Sequence, residues 1–510
     1  MTAPLVTTND ADISQLEGVY IKETNPPASV GEVSLNAVGV FGATLKGPTG
    51  VPVLITSEQR FIDVFGGGYL SGVNINKVWT SALNKNFLSG QLYVARVFAA
   101  AAVKASFTLE SASGGAGTST IRIDASSVGS WGNLLKWRVS AATSGVANEF
   151  NLEIKDTITG KVWKYENIDV VTTDNLVAKI GTDEARPVDV VKLNATRPSN
   201  SIASTDGADI DGFTFLGQTV AGYTSVAGTD GSIADSDYFG TGKGLDLLAD
   251  LKGVAIVYCA EYTSANLKAA TKVKAAASSD RMFVIGAADQ TTSVATAISD
   301  VATYRSDRIA YCYNHCYTLD PITGAQVLVR PESWMAAILA NTDVDIHPGE
   351  QDTKRFLAGI TKLYNASLTR ADYVLLRAAG ICAMEIDLGD PVFVSGVVTD
   401  LTPGKTEIAR RRMADFLQLS AAYALRFHVK KKNTEARRTA IAGTLKGWLS
   451  GLKQQGRVVE DFVIDMDILN SPTDRANGIQ RILMRVKLVP HMLSVVLQTE
   501  IGTGVTIVSN

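Results

Sequence analysis

Glu17-Gly-Val-Tyr-Ile-Lys-Glu23, then Pro26-Pro27, Gly39-Val-Phe-Gly42, Gly47-Pro48, Pro52-Val-Leu-Ile-Thr-Ser57 and Phe65-Gly-Gly67 make up the stretch whose reading decides the fold. Val19 and Ile21 alternate with Tyr20 and Lys22, the period of a half-buried strand. Pro26-Pro27 ends pairing and stiffens an extended exit. The next strand is too distant for a tight hairpin, so this segment calls for a remote pairing partner, another subunit included. Val33 to Ala43 reads as a buried strand, Gly42 to Pro48 as a glycine loop and Val51 to Thr56 as a further strand. Ser57 is placed to cap a helix from Glu58 to Phe65, with an acid early in the first turn.

Outward from this stretch, Val78, Trp79, Ala82, Leu83 and Phe87 recur at helical spacing within Val73 to Phe87, and Leu92 to Phe98 reads as a strand. Alternation of strands and helices predicts an α/β layer. The texture changes near residue 99. Ser, Gly and Thr crowd into turns, and Ile121 to Asp124, Leu134 to Ser140, Asn151 to Lys155 and Val162 to Tyr165 read as short strands. Alternation returns after residue 236, with helices at Gly244 to Leu251, Ala265 to Ala277 and Ser293 to Tyr304. The intervening strands are Val254 to Cys259, Arg281 to Gly286 and Ile309 to Tyr313, and a helix from Trp334 to Asn341 follows. Beyond it come a helical turn in Lys354 to Lys362, a strand at Gly380 to Glu385, and helices at Thr406 to Lys430 and Thr434 to Gln455. Strands at Val458 to Asp465, Arg481 to Val489, Ser494 to Ile501 and Val505 to Val508 complete the chain. The predicted fold is an α/β core with a β-rich insertion domain and an α+β C-terminal domain. Residues 1–30 form an N-terminal strand arm, 31–98 with 236–341 the discontinuous core, 99–235 the insertion, 342–502 the C-terminal domain and 503–510 a C-terminal strand arm.

Composition sets the bounds. A chain of 510 residues is long enough for two to four domains, and 46% hydrophobic with 19% charged residues is globular rather than disordered. A net charge of −3 gives no sequence-wide attraction to nucleic acid or acidic lipid. A mean hydropathy of +0.11 fits a protein that buries surface in an assembly. No apolar run approaches the roughly 18–20 residues of a membrane span, so no stable membrane insertion is expected. Met1 to Asp12 lacks the features of a signal peptide, which points to folding in the cytoplasm.

The four cysteines are too sparse for a disulfide scaffold. Cys259 sits in a core-like strand and reads as a buried thiol. Cys312, His315 and Cys316 resemble a partial zinc set one ligand short of a structural site, so no metal is assigned. An intersubunit disulfide stays open at this point. Gly240-Thr-Gly-Lys-Gly244 invites a phosphate-loop reading, but that motif needs Gly where Asp237 stands and Ser or Thr where Gly244 stands. Neither a nucleophile elbow nor a metalloprotease helix is present, and the four His residues, His315, His347, His428 and His491, propose no triad. No cofactor or catalytic residue is assigned. The main rival, an α/β hydrolase-like enzyme with a β insertion, lacks a catalytic motif. A surface-layer or adhesive β protein is a second rival, and it should carry a secretion signal. Arg410, Arg411, Arg412, Arg426, Lys430, Lys431, Lys432, Arg437 and Arg438 form two basic clusters, which read either as a solvated helix surface or as a docking face for an acidic protein. No aromatic interleaving supports nucleic acid.

The order of the N-terminal pieces resembles that of contractile tail sheath proteins of bacteriophages and related injection machines. That family runs roughly PGVYV-E, a proline turn, a buried strand ending in GxxxKGP, a PVLVTS-like strand and an FGG turn. The matching residues here are Glu17 to Tyr20, Gly42 to Pro48, Pro52 to Ser57 and Phe65 to Gly67, with Glu17 in place of the leading proline. Ser126 to Asn133 resembles the family's G-x-WGN-x-L motif, where glycines make the turn, Trp131 covers the bend and Asn133 tolerates a left-handed backbone. Pro331 to Asp343 keeps the leading proline, small-residue helix and acid of the family's PPSG-x-x-AG segment, without its second proline or early glycine. Thr402 to Arg412 is similar to the family's strand–RR–helix entry. The likeness extends over residues 18–98, 126–134, 230–345 and 370–501.

The resemblance implies a homo-oligomer, a helical stack of six-fold rings around a tail tube protein, capped by baseplate and tail terminator proteins. It places the protein in a virion tail assembled in the host cytoplasm. Contraction would drive the tube through the host envelope. The strand arms Val19, Tyr20, Ile21, Lys22 and Val505, Thr506, Ile507, Val508 would add to sheets of neighbouring subunits, against strands in 458–501. The insertion would face outward and the C-terminal domain the tube, with Arg410, Arg411, Lys430, Lys431 and Lys432 as candidate tube or neighbour contacts.

Overall fold

The computed structural model describes residues 34–67, 91–112, 117–200, 212–319 and 324–493, together with the short strands Leu5–Val6 and Tyr20–Ile21. The chain forms two compact units, divided between Arg412 and Met413.

The larger unit, 34–412, is built on an eight-stranded sheet. Its strands, labelled in chain order, are β1 (Val38–Ala43), β2 (Val53–Ile55), β3 (Leu92–Val97), β4 (Ile256–Cys259), β5 (Met282–Gly286), β6 (Ile309–Tyr313), β7 (Ile381–Asp387) and β8 (Asp390–Phe393). The spatial order is β8-β7-β6-β5-β4-β1-β3-β2. The inner six run parallel, and β2 and β8 close the edges antiparallel. Parallel strands are covered on both faces, which is why β1, β4, β5 and β6 are buried at every position. On one face Phe41, Val257, Phe283 and Tyr311 pack with Leu245, Leu267, Val301 and Leu376 from four helices. On the other lies the helix Pro331–Asn341, packed on β4, β5 and β6 and buried from Pro331 to Ala340.

The helix Ala265–Ala277 and the strand β6 keep their predicted bounds, and Ser57 accepts a hydrogen bond from Arg60 N as the cap of Glu58–Phe65. One domain boundary differs. The α/β core expected to end at 341 continues to Arg412, because β7 pairs in parallel with β6 and β8 completes the edge. The irregular stretch after Asn341 links a helix on one face to a helix on the other, Arg370–Ala378, and does not leave the unit. The helical turn in Lys354 to Lys362 is a 3-10 helix, Gln351–Leu357, followed by a strand, Ile360–Leu363. The predicted helix Val73 to Phe87 and strand Ser494 to Ile501 lie outside the described residues.

Between β3 and β4 the chain forms a β-sandwich. One four-stranded sheet has the order Val162–Asp169, Glu149–Asp156, Leu135–Ala141, Thr214–Phe215; the other Val188–Lys192, Ser119–Ala125, Ser106–Glu110, Ser225–Val226. Phe107, Ile121 and Ile123 from one sheet meet Trp137, Leu152 and Ile154 from the other in a single core. Trp131 is buried in that core, on a 3-10 turn, Ser130–Leu134. Asn133 does something other than adopt a left-handed backbone, for it is absent from the residues with positive φ. Its Nδ2 donates to Gly228 O at 2.8 Å and its Oδ1 accepts from Gly228 N at 2.7 Å, so the side chain replaces a strand neighbour across the base of the sandwich.

In the smaller unit the helix Ile408–Leu425 continues past Arg412 and is followed by Glu435–Gln455. Thr434 caps the second helix, and Ile441, Leu445, Leu449 and Leu452 form its buried stripe against the strand Val459–Asp465. That strand pairs antiparallel with Leu483–Leu488.

Asn133→Ala should destabilise the sandwich by about 2–3 kcal/mol, the cost of two lost hydrogen bonds with a part-buried N–H and C=O left unmatched. Asn133→Gly should cost as much, although glycine would serve a left-handed turn. Urea unfolding followed by tryptophan fluorescence checks both.

Candidate functional site

The residues singled out for assembly separate into three groups. Arg412 is only 2% exposed. Its guanidinium donates to Leu339 O at 2.7 Å, to Thr342 O and Asp343 O at 3.3 Å, and to Asn36 Oδ1 at 3.4 Å. It thus closes the carbonyl end of the buried helix Pro331–Asn341, where a cation also suits the helix dipole. Arg411 is half-buried with a hydrogen bond to Asp307 Oδ2 at 3.1 Å. Arg410 stands 3.7 Å from Glu407 and donates to Gly404 O at 3.3 Å. The triple-arginine run is therefore committed largely within its own subunit, unlike the solvated or docking surface expected of it. Lys430, Lys431 and Lys432 are exposed after the end of the helix Ile408–Leu425 and form no ion pair among the described residues. A run of like charges carries no signal separating these two fates. The signal lies in the helix end that Arg412 meets.

Of the strand arms, Tyr20 and Ile21 pair in parallel with Leu5 and Val6, a partner within the same chain that the sequence did not offer. Val19, Lys22, Val505, Thr506, Ile507 and Val508 lie outside the described residues. The expected acceptor, strands Val459–Asp465 and Leu483–Leu488, forms a two-stranded sheet with an unpaired edge on each strand among the described residues. Such a sheet is marginal alone. Val463, Ile468, Leu469 and Ile479 are exposed on and beside it.

The motifs that hinted at chemistry are internal. Lys243 Nζ binds Asp237 Oδ1 at 2.5 Å and Gly242 N donates to Asp246, so the glycine loop is folded on itself. Gly244 has φ +28, and a Cβ there would lie 2.3 Å from Tyr238 O, so glycine serves close packing. All four cysteines are free and buried, which removes them from reach of a disulfide with another subunit. Burial pushes the Cys312 and Cys316 thiols up, and Cys382 to about 12. Burial, with Arg330 nearby, lowers His315 to about 3. Among the described residues no cluster of three metal-ligating side chains occurs. A cavity of about 20 Å³, lined by Phe41, Tyr258, Phe283 and Glu332, has room for about one water.

No family model matches the sequence, and no curated protein matches it. Solved structures do. A sheath tail protein from Listeria innocua matches with TM-score 0.61 and 13% identity over 91% of this chain and 97% of that one. A sheath tail protein from Desulfitobacterium hafniense matches with TM-score 0.59 and 13% identity over 92% of this chain and 100% of that one. The sheath of an extracellular contractile injection system, a PVC sheath complex in the contracted state, matches with TM-score 0.55 and 12% identity over 96% of this chain and 98% of that one. The chain has the fold of contractile-system sheath proteins, in agreement with the resemblance carried by its sequence motifs.

Arg412→Met should lower the stability of the isolated subunit by about 3 kcal/mol or more, because buried carbonyls lose their donor. Reversing Lys430, Lys431 and Lys432 to Glu should change it by no more than about 0.5 kcal/mol. Denaturant titrations of the two variants compare these effects.

Proposed function

We propose that the chain is the structural subunit of a contractile sheath, which polymerises as stacked hexameric rings around an inner tube and contracts to drive the tube through a host cell envelope. The observation that carries this reading is two-way coverage: the fold matches sheath proteins over more than nine-tenths of both chains. The work comes from an extended, metastable assembly that relaxes over a barrier, with no nucleotide or cofactor consumed. A tube protein, a baseplate and a terminator are the partners, and the virion tail or a tail-like particle is the setting. No helix among the described residues is long and apolar enough to cross a membrane.

In this proposal the two chain ends are the links. Residues 19–22 and 505–508 leave their own subunit and add to the two-stranded sheet of a neighbour, where main-chain hydrogen bonds give affinity without a specific pocket. The sandwich faces outward, since an insertion between two consecutive strands of a scaffold is where surface variation is tolerated. The smaller unit faces the tube, with Lys430, Lys431 and Lys432 on its basic surface, and Arg410 and Arg411 of the larger unit are further candidate contacts with the tube or a neighbour.

The purified protein should form ribbed cylinders in negative-stain microscopy, alone or on addition of its tube. A persistent monomer under both conditions would overturn the proposal. Removing residues 1–24 or 503–510 should leave a folded, soluble subunit that no longer forms cylinders; cylinders of normal length from either truncation would refute the role given to that arm. Reversing Lys430, Lys431 and Lys432 together should weaken tube-templated assembly most at low salt, where screening is least. Unchanged co-assembly would return these lysines to the solvated surface.

A further inference from the structure

The helix Arg370–Ala378 carries two apolar faces. Thr369 and Asp372 fix its start with a capping box. Its inner face holds Leu376 in the core and Tyr373, whose hydroxyl donates to Met384 O at 3.4 Å. Its outer face consists of Ala371, Val374, Leu375 and Ala378, spaced i, i+3, i+4, i+7 and all exposed, Val374 by 62% and Leu375 by 55%. That spacing is the mark of a face that packs against something. Arg370 and Arg377 flank it, both exposed and neither in an ion pair among the described residues.

A second feature of the same unit has the opposite character. The hairpin between β7 and β8 turns through Asp387-Leu388-Gly389-Asp390, with Asp387 paired to Asp390. Leu388 has φ +51 and Gly389 φ +94, a turn in which Asn-Gly is the favoured pair. Leucine is disfavoured at positive φ, and here it is 97% exposed. Neither the turn nor the core of this subunit accounts for it. Asp387 and Asp390 flank it, with Lys354 offsetting Asp387 at 3.1 Å.

We infer that the hairpin tip of one copy of this chain seats on the outer face of the helix Arg370–Ala378 of another, Leu388 between Val374 and Leu375, with the acidic rim of the tip against Arg370 and Arg377. This rests on the self-assembly proposed above. The charges and shapes match: an apolar knob with an acidic rim meets an apolar face with a basic rim, and Ala371 and Ala378 leave room at either end. The two halves are different patches of one chain, so the contact is heterologous and repeats along a filament without closing on itself in pairs. A buried apolar anchor supplies most of the affinity, and the charged rim sets register.

Leu388→Cys combined with Leu375→Cys tests the contact directly, because the four native thiols are buried. A short bismaleimide added to the assembled double variant should give a ladder of covalent multimers on a denaturing gel, absent from either single variant. Reversing the helix rim (Arg370→Glu with Arg377→Glu) should raise the critical concentration for polymerisation about tenfold or more. So should reversing the tip (Asp387→Lys and Asp390→Lys, with Lys354→Glu to keep the internal pair), and combining the two sets should restore it to within about threefold. Circular dichroism of each variant subunit separates lost contact from lost fold. Cylinders of the double-cysteine variant that give no 388–375 cross-link, with the charge-reversed variants polymerising as wild type, would overturn this contact and leave the sheath function standing. A cross-link confined to one chain would overturn it as well. A chain that never polymerises would remove both.

Discussion

A helix buried on every side must have its backbone ends satisfied from within, and the helix Pro331–Asn341 imposes that demand on the larger unit. At its start Pro331 removes one orphan donor, and Ser333 Oγ donates to Arg330 O at 2.9 Å. Glu332 Oε1 accepts from Arg330 Nε at 3.0 Å and Nη2 at 2.7 Å, while Arg330 Nη2 also donates to Ala287 O at 2.6 Å beyond the end of β5. Gly286 makes room, since a Cβ there would lie 2.5 Å from Glu332 Oε1. At its end three carbonyls in succession find donors: Ala337 O from Asn341 Nδ2, Ile338 O from Thr342 Oγ1 and Leu339 O from Arg412. The buried ion pair adds little net stability against an apolar pair of the same shape, but losing either partner leaves a charge stranded in the core. Its effect is to fix the helix in one position across β4, β5 and β6.

A second buried arginine solves a similar problem where the sandwich leaves the sheet. Arg96, near the end of β3, donates to Gly47 O at 3.0 Å and to Val128 O at 2.8 Å, and Gly47 N donates to Ser127 Oγ at 3.0 Å. Burial lowers the Arg96 pKa to about 10, still high enough to keep the charge at neutral pH. Val103 pairs with Thr229, and Ser130 N donates to Asp230 Oδ1 at 3.0 Å, so the outgoing and returning chains are bound together at the root. The sandwich can then fold on its own core while β3 and β4 take their places in the sheet on either side of β1.

Local pattern made the strands of the sheet, the β-rich insertion and the cap at Ser57 legible, because each rests on periodicity or on a contact within four residues. Ser264 and Thr434 cap in the same way, though the sequence reading did not single them out. What escaped was set by long-range contact. Arg412 sits in a run of three arginines that sequence treats alike, and only the end of a helix about 70 residues earlier distinguishes it. Asn133 was legible as part of a motif but not in its role, because its partner Gly228 is 95 positions away. The boundary near 342 was misplaced for the same reason. A change of texture marks a crossing of the sheet as readily as a change of domain, and the long-range pairing of β7 with β6 separates the two.

Assembly by strand addition requires that sheets accept strands where they should and refuse them elsewhere. The large sheet refuses at both sides. β2 is a three-residue edge preceded by Pro52, and β8 is a four-residue edge in which Pro391 lacks a donor and Asp390 adds charge. Neither edge offers a long, flat template. The two-stranded sheet of the smaller unit has the opposite design among the described residues: strands of seven and six residues, with no third strand paired to either edge. Lys487 and Glu460 pair across it at 2.5 Å, as do Lys453 and Asp461 beside it at 2.8 Å, which keeps it from being an apolar edge open to any passing strand. In the proposed sheath, strand addition would fall on this small sheet and not on the large one.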